Sequence, residues 1–456
     1  MNSEWANRVG VPAAVRGKVL LWLAEDLRLE DNLALTLAMR ASPDGLAVLR
    51  ILPEARGRPC RTPHRQKVED AAELRLARCF AQAGIRFEVL GTGDNTSIAR
   101  ACRRLGCTSV IRNAADGTPL ELAYRAEHEH ELAAMQIPLQ VVNGEMIRRV
   151  GPGGAKPERP FLYKDAAVEP GALPEDHPLG LLRAYLPTLP DRNYMADMWI
   201  PGRDRQSSSQ LSTHFAAGTL SSDRAAAETL RAERVWAAAH PGQSRTTEGA
   251  SFRHFRARVN CRPGFLTAFS RYEDKGLPMA ATAAQRSRVQ AWRDGRTGIP
   301  MPDAAMRELS TTGWINFRLR QMVTSYAIQL LQLPSAEVGA VLAELFDDYE
   351  PGITWLQVAL NDGTMGQERG PRILNPVKQG RDLDPSEAYV RQWFPELTAL
   401  PAGLAHEPWL HPDNPLPPPL VDHKAAFREA RARWGNRESA LRPREEVLAT
   451  HSAGSS

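Results

Sequence analysis

The chain has 456 residues, of which 43% are hydrophobic and 24% charged, and 57 Lys and Arg against 53 Asp and Glu leave a net charge of +4. At about 150 residues per domain the length points to two or three domains, and the composition excludes a disordered chain. So small a positive surplus does not demand a polyanionic partner, although a local basic surface can serve one.

Residues 17–150 alternate between two patterns. Short runs rich in Val, Ile and Leu at 18–24, 45–52, 85–90, 108–113 and 138–144 predict strands buried on both faces. In 64–83, Val68, Ala72, Leu76 and Phe80 recur every fourth residue, which predicts a helix that Gly84 stops. Thr96 is placed to cap the next helix, which ends near Gly106. This rhythm predicts a doubly wound parallel sheet.

The stretch 151–185 opens with GPGGAKPERP and reads as a linker. From 186 to 450 the strand pattern gives way to Ala-, Leu- and Arg-rich helical stretches, the largest candidate spanning 313–333, and the last residues, THSAGSS (450–456), read as frayed. The fold class is therefore α/β followed by all-α.

No run of 18 apolar residues predicts a spanning helix, and the first 17 residues lack a secretory pattern. The five cysteines, Cys60, Cys79, Cys102, Cys107 and Cys261, make no metal-binding spacing and suit a reduced cytoplasm; Cys102 and Cys107 read as small buried thiols. The expectation is a cytoplasmic monomer without a metal or a membrane partner.

Six strings carry further information. WLAEDLRLEDNLAL (22–35) resembles the opening of the photolyase/cryptochrome family, with Ala24 and Glu25 departing from it. SSSQLSTHFAAGTLS (207–221) resembles the family's flavin-phosphate segment. AWRDGRTGIPMPDAAMRELSTTGWINFRLRQM (291–322) and RILNPVKQGRDLDPSEAYVRQWFPEL (372–397) are similar to its two long signatures, and HEPW (406–409) with PPLVDHKAA (418–426) to its C-terminal end. The resemblance implies a photolyase N-terminal domain over 17–150, an interdomain linker over 151–185 and a helical FAD-binding domain over 186–450.

It also implies roles. Ser207, Ser208, Ser209 and Ser212 offer hydroxyls and backbone N–H groups for a pyrophosphate at the mouth of a helix, with Gln210 in place of the usual Arg and Leu211 in register. Alone, the same string reads as a capped Ser-rich loop. Arg253 matches a phosphate-side Arg, while Arg256 and Arg258 read as a solvated or DNA-facing edge. Arg320 and Asp347 match an ion pair beside the flavin ring, near Tyr349 and Ile353. Arg318, Arg372, Lys378 and Arg381 match positions facing a DNA backbone, or are plain surface charges.

In the family's repair reaction, reduced flavin absorbs blue light and passes one electron to a flipped-out pyrimidine dimer, which splits and returns it. Trp314, Phe317, Trp355 and Phe252 are the aromatic residues placed for that chemistry. Several positions depart from the pattern. Gly249 and Phe252 stand where a Glu and a Trp line the lesion pocket, and Asn316–Phe317 replaces His-Asn. Ile353 stands where a polar residue approaches flavin N5, and Gln357 and Ala359 replace two Trp. The three-tryptophan chain reads Gln357, Pro334 and Thr282, with Trp355, Trp314, Trp292 and Tyr349 as substitutes or core residues. The string DYEPGITW (348–355) resembles a bacterial branch of the family.

No four-cysteine cluster supports an iron–sulfur branch. An antenna chromophore of folate or flavin type and an empty crevice at the strand ends remain alternatives. The leading expectation is a blue-light-driven, FAD-dependent deoxyribodipyrimidine photolyase, an enzyme whose partner is damaged DNA. Its alternatives are a cryptochrome-like photoreceptor with little repair activity and a flavin electron-transfer protein.

Overall fold

The computed structural model describes residues 17–42, 44–52, 62–91, 97–114, 117–142, 177–202, 208–243, 246–270, 282–365 and 370–441. Five strands, β1 (Lys18–Leu23), β2 (Leu46–Ile51), β3 (Arg86–Leu90), β4 (Cys107–Asn113) and β5 (Leu139–Val142), form one parallel sheet in the order β3-β2-β1-β4-β5. Between them run α1 (Leu33–Ala41), α2 (Pro63–Gln82), α3 (Ile98–Arg104) and α4 (Pro119–Ala134).

Period-two alternation along β1 divides the core. Val19, Leu21 and Leu23 pack with Ala34, Leu37, Leu76 and Phe80 of α1 and α2. Leu20 and Trp22 pack on the other face with Ile98, Cys102 and Leu132 of α3 and α4. Each such burial contributes about 1.5–3 kcal/mol, which makes the doubly wound arrangement the stable one.

β1 and β2 are almost wholly buried, as expected for strands covered on both faces. The outer strands β3 and β5 are not, and Val89 and Val141 face solvent, because each lies at a sheet edge with one neighbour. α2 buries Val68, Ala72, Leu76 and Phe80, and Gly84 follows it with φ of +69°. The cap of α3 is Ser97, whose hydroxyl accepts from the Arg100 N–H, rather than Thr96, which lies outside the described residues. Cys60 and Ser207 also lie outside them, as does 151–176, most of the expected linker. The end of that segment is helical instead: Pro178–Tyr185 buries Leu179, Leu182 and Tyr185 on one face.

By internal contacts the chain forms two compact units. The first comprises 1–194, 209–275 and 347–353; the second comprises 195–208, 276–346 and 354–456. The first contains the sheet and α5 (Pro178–Tyr185), α6 (Ser212–Ala216), α7 (Ser222–Ala239) and α8 (Thr247–Ser270). The second is helical; its central element, α9 (Phe317–Ser325), continues as a π-helical turn through Tyr326–Leu330. The helix expected over 313–333 thus begins four residues later. Gly313, at φ of +70°, ends the preceding helix Pro300–Thr312, and Asn316 caps α9 by accepting from the Leu319 N–H at 2.8 Å.

Candidate functional site

In the first unit the Ser-rich segment is suspended from arginines. α6 has only five residues, and Leu211 gives it no side-chain cap. Its dipole is correspondingly short, so donor groups rather than a long helix must hold any anion. Ser209 and Ser212 are half-buried, Leu211 is fully buried, and Gln210 is exposed with φ of +53°.

The carbonyls at the end of this turn take side-chain donors, in the case of Phe215 O in addition to the N–H groups of Ala217 and Gly218. Arg262 Nη2 donates to Phe215 O at 2.9 Å, Arg65 Nη2 to Ala216 O at 3.1 Å and Arg28 Nη1 to Gly218 O at 2.9 Å. Ser221 Oγ donates to the Asp31 carboxylate, and Gly218 lies so close to the 25–26 backbone that a Cβ there would sit 1.7 Å from Glu25 O. The motif of 22–35 and the motif of 207–221 are therefore mechanically one device.

Arg253, half-buried on α8, donates to Gly249 O at 3.3 Å. Phe252 is 1% exposed within the core made by Leu182, Leu211 and Phe255, so it packs rather than lining an open pocket. Gly249 is buried and carries no side chain. Asp347 and Tyr349 are buried and Ile353 half-buried. Arg256 pairs with Glu233 at 3.0 Å.

A second feature of this unit lies at the carboxyl ends of β1 and β4, the point where strand order reverses. A cavity of about 90 Å³ opens there among Trp22, Asp26, Arg112, Asn113 and Arg262. The Arg112 guanidinium sits 5.3 Å from the Trp22 ring centroid, and Asn113 Nδ2 donates to Asp26 at 2.6 Å. Burial holds the Asp26 carboxyl above its ordinary range despite the N–H of Ala24 and the charge of Arg28.

In the second unit several residues singled out from the sequence lie on or beside α9. Arg320 Nε donates to Ile315 O at 2.8 Å, and its guanidinium lies 4.2 Å from the Phe346 ring centroid and 5.9 Å from that of Trp314. Asn316 is buried, with its Nδ2 lacking a partner. Phe317 stands edge-on to Trp199 at 6.3 Å, and Arg318 lies 4.8 Å over the same Trp199 ring. Trp199 is a half-exposed aromatic that motif reading did not single out; its only local signal is the Pro-Gly turn behind it.

The loop carrying Arg372 is pinned to α9: Ser325 Oγ donates to Arg372 O at 2.5 Å and accepts from Leu374 N at 3.1 Å. Burial and the positive charge of Arg372 lower the pKa of Arg318, with Asp382 opposing. Among the described residues neither Arg318 nor Arg372 has a carboxylate within ion-pair distance. The other two expected DNA contacts are neutralised: Lys378 pairs with Asp382 at 2.5 Å and Arg381 with Glu407.

Ser208 is half-buried in this unit. Trp355 and Trp314 are half-buried, and Trp292 is wholly buried with an unpartnered Nε1. Trp355 fills the space at Gly339, where a Cβ would meet its Cζ3 at 2.3 Å. At the remaining triad positions, Gln357 and Pro334 are half-buried and Thr282 caps Ala283–Arg293 with a capping box. Ala359 is buried.

Comparison with known proteins agrees with this arrangement. Residues 19–161 match the family model described as DNA photolyase, and 252–436 match the FAD binding domain of DNA photolyase. Cryptochrome-1 of Sinapis alba is 27% identical over 88% of this chain and 89% of its own length. The deoxyribodipyrimidine photo-lyase of Escherichia coli is 35% identical over 30% of each chain. A cryptochrome of Synechocystis sp. PCC6803 superposes with a TM-score of 0.73 at 20% identity, covering 92% of this chain and all of the other. A bacterial class III photolyase of Agrobacterium tumefaciens does so with a TM-score of 0.67 at 22% identity, covering 94% of this chain and 99% of its own. With both family models matched along one chain and the fold shared, this chain belongs to the photolyase/cryptochrome family.

Proposed function

We propose that the chain binds FAD and works as a blue-light-driven photolyase on pyrimidine dimers in DNA. The observation that carries the DNA half is the Arg318–Arg372 pair. Two like charges on a pinned loop and α9, with no carboxylate within ion-pair distance among the described residues and Asp382 opposing only from farther off, favour an anion that completes them. A DNA phosphate is such an anion, and phosphate contacts supply affinity and register without reading sequence. Trp199 and Phe317 beside them offer ring faces and edges for an unstacked base.

The donor set also fits FAD. In the first unit the half-buried hydroxyls of Ser209 and Ser212, with the backbone at Gln210 and Leu211 and the guanidinium of Arg253, suit a pyrophosphate. In the second unit the partnerless Asn316 amide and the Arg320 guanidinium suit a polar, electron-rich ring, and the family resemblance assigns Asp347, Tyr349 and Ile353 of the first unit to the same group. When bound and reduced, FAD supplies a blue-light-absorbing one-electron donor. The chain's own work is to orient that group, favour negative charge through Arg320, and seat the substrate through Arg318 and Arg372.

A second reading, a photoreceptor with little repair activity, is favoured by Phe252 and Gly249. The first is committed to a core and the second has no side chain, so neither offers the usual contacts to a lesion.

The deciding experiment is direct. The purified protein is examined for flavin absorption, then illuminated with blue light in the presence of dimer-containing single- and double-stranded DNA. Loss of dimers under light supports repair. A yellow protein that repairs neither substrate establishes the photoreceptor reading, and a colourless protein that refuses added FAD overturns both.

A further inference from the structure

We propose that Arg65 is a positioning residue for the flavin, an inference that rests on the assignment of FAD to the 208–221 and 347–353 segments. Arg65 stands near the start of α2, on the sheet side of the first unit, and is 4% exposed. Each arm of its guanidinium is engaged. Nε donates to Glu69 Oε1 at 2.7 Å, Nη1 to Tyr349 O at 2.6 Å and Nη2 to Ala216 O at 3.1 Å.

The two carbonyls belong to segments far apart in sequence, separated from Arg65 by 151 and 284 positions. Ala216 ends α6, four residues after Ser212; Tyr349 lies between Asp347 and Ile353. One planar fork thus fixes, on a common rigid part, the segment assigned to the pyrophosphate and the segment assigned to the ring.

The fork is itself held. Glu69 is buried and accepts from Arg50 Nη2 at 2.5 Å, and Arg50, on β2, also pairs with Glu73. The linkage runs from Arg50 on a central strand through the Glu69 carboxylate and the Arg65 guanidinium to the two loop carbonyls, with Glu73 pairing Arg50 to one side. A buried guanidinium whose hydrogen bonds are all made is rigid because losing any one leaves a desolvated polar group. Lysine cannot replace it, since an ammonium on a flexible stem lacks the fork that spans two carbonyls.

The sheet therefore has work to do for the flavin whether or not anything occupies its own crevice. Arg65 touches neither ring nor phosphate; it acts through the backbone of 216 and 349.

The test compares three variants with the wild type: Arg65→Ala, Arg65→Lys and Glu73→Gln. FAD affinity is measured by titrating flavin-free protein and following flavin fluorescence, and the ring environment by visible circular dichroism of the bound flavin. Arg65→Ala is expected to weaken FAD binding ten-fold or more and to change the visible dichroism, with Arg65→Lys in between. Glu73→Gln removes an ion pair of the same network but touches neither segment, and is expected to lower thermal stability while leaving FAD affinity within two-fold. If Arg65→Ala fails to fold, Arg65→Lys decides. Wild-type affinity and dichroism in the Arg65 variants overturn the proposal, as does an equal loss in Glu73→Gln. A wild-type protein that binds no FAD overturns the assignment of the segments as well, and is distinguished by needing no variant to see it.

Discussion

Replacing Gly218 with alanine tests the clamp between the two motifs. Gly218 has φ of +68°, and its missing Cβ would fall 1.7 Å from Glu25 O and 2.4 Å from Glu25 C. An L-residue in the left-handed region costs about 1–2 kcal/mol. A forced backbone displacement of this kind adds about 1–3 kcal/mol. The shift would also disturb the 2.9 Å bond from Arg28 Nη1 to Gly218 O, so a total on the order of 3–5 kcal/mol is expected. Gly84 provides the control, with φ of +69° and nothing within 4 Å of its Cβ position; its alanine variant should show the conformational cost alone, about 1–2 kcal/mol. Urea unfolding followed by far-ultraviolet circular dichroism measures both. Because Ser209 and Ser212 lie on the same turn, the Gly218 variant should also lose flavin during purification. Equal destabilisation in the two variants would refute the close-approach argument.

Three further outcomes are expected. Burial pushes the Asp303 carboxyl up to about 7, against the N–H of Gly298, the hydroxyl of Thr297 and the charge of Arg307. From about pH 4 to 7 the folded protein then keeps a proton that the unfolded chain, with an Asp pKa of about 3.9, has released, so this residue's contribution to stability declines as pH rises through that window. Asp303→Asn should flatten the decline, and parallel pH–stability curves for variant and wild type would exclude the residue as its source. Arg372→Ala should weaken binding to DNA and reduce the salt dependence of log Kd by about one, whereas Lys378→Ala, already paired with Asp382, should change it less; fluorescence anisotropy across a salt series separates them. Blue-light reduction of the bound flavin should slow several-fold in Trp355→Phe or Trp314→Phe, because the usual tryptophan positions hold Gln357, Pro334 and Thr282; unchanged kinetics in both would remove these two residues from the route.

The α/β part was legible because its signals are local. Strand runs that recur between helices of four-residue period leave few arrangements of a parallel sheet, and the order found is one of them. The errors arose where a local signal had two readings. Thr96 and Ser97 are adjacent capping residues, and only geometry chooses Ser97. Gly313 reads as tolerated within a long apolar pattern, yet its left-handed backbone ends one helix while Asn316 begins the next. Val89 and Val141 look like buried strand residues because edge position is a property of sheet order, which no single strand encodes.

The site was legible in kind and less so in detail. Motif matching proposes that Lys378 and Arg381 face DNA with the same force as Arg318 and Arg372. It has no access to Asp382 and Glu407, which neutralise the first two, or to the Ser325 hydroxyl that holds the Arg372 loop beside α9. Phe252 matches a pocket position, but a large apolar side chain surrounded by Leu182, Leu211 and Phe255 gains more from packing than from facing a polar lesion. Arg65 could not be singled out at all, since what distinguishes it is two main-chain carbonyls more than a hundred positions away.

The same point changes the meaning of the N-terminal string. Read along the chain, Asp26, Arg28, Asp31 and Asn32 are simply matches to the family's opening string. In the folded first unit each has structural work. Asp26 accepts from the Ala24 N–H and from Asn113; Arg28 reaches Gly218 O; Asp31 takes the Ser221 hydroxyl; Asn32 caps α1. A polar residue that is already hydrogen-bonded inside the protein is a poor indicator of a missing ligand, because its desolvation is offset without one. Arg28 and Asp31 would be required to hold the 215–221 turn, and Asp26 and Asn32 to hold the 24–26 turn and the start of α1, even if the crevice beside them held only water. The string is therefore evidence about how the Ser-rich turn is anchored, and any claim for an antenna has to rest on other residues.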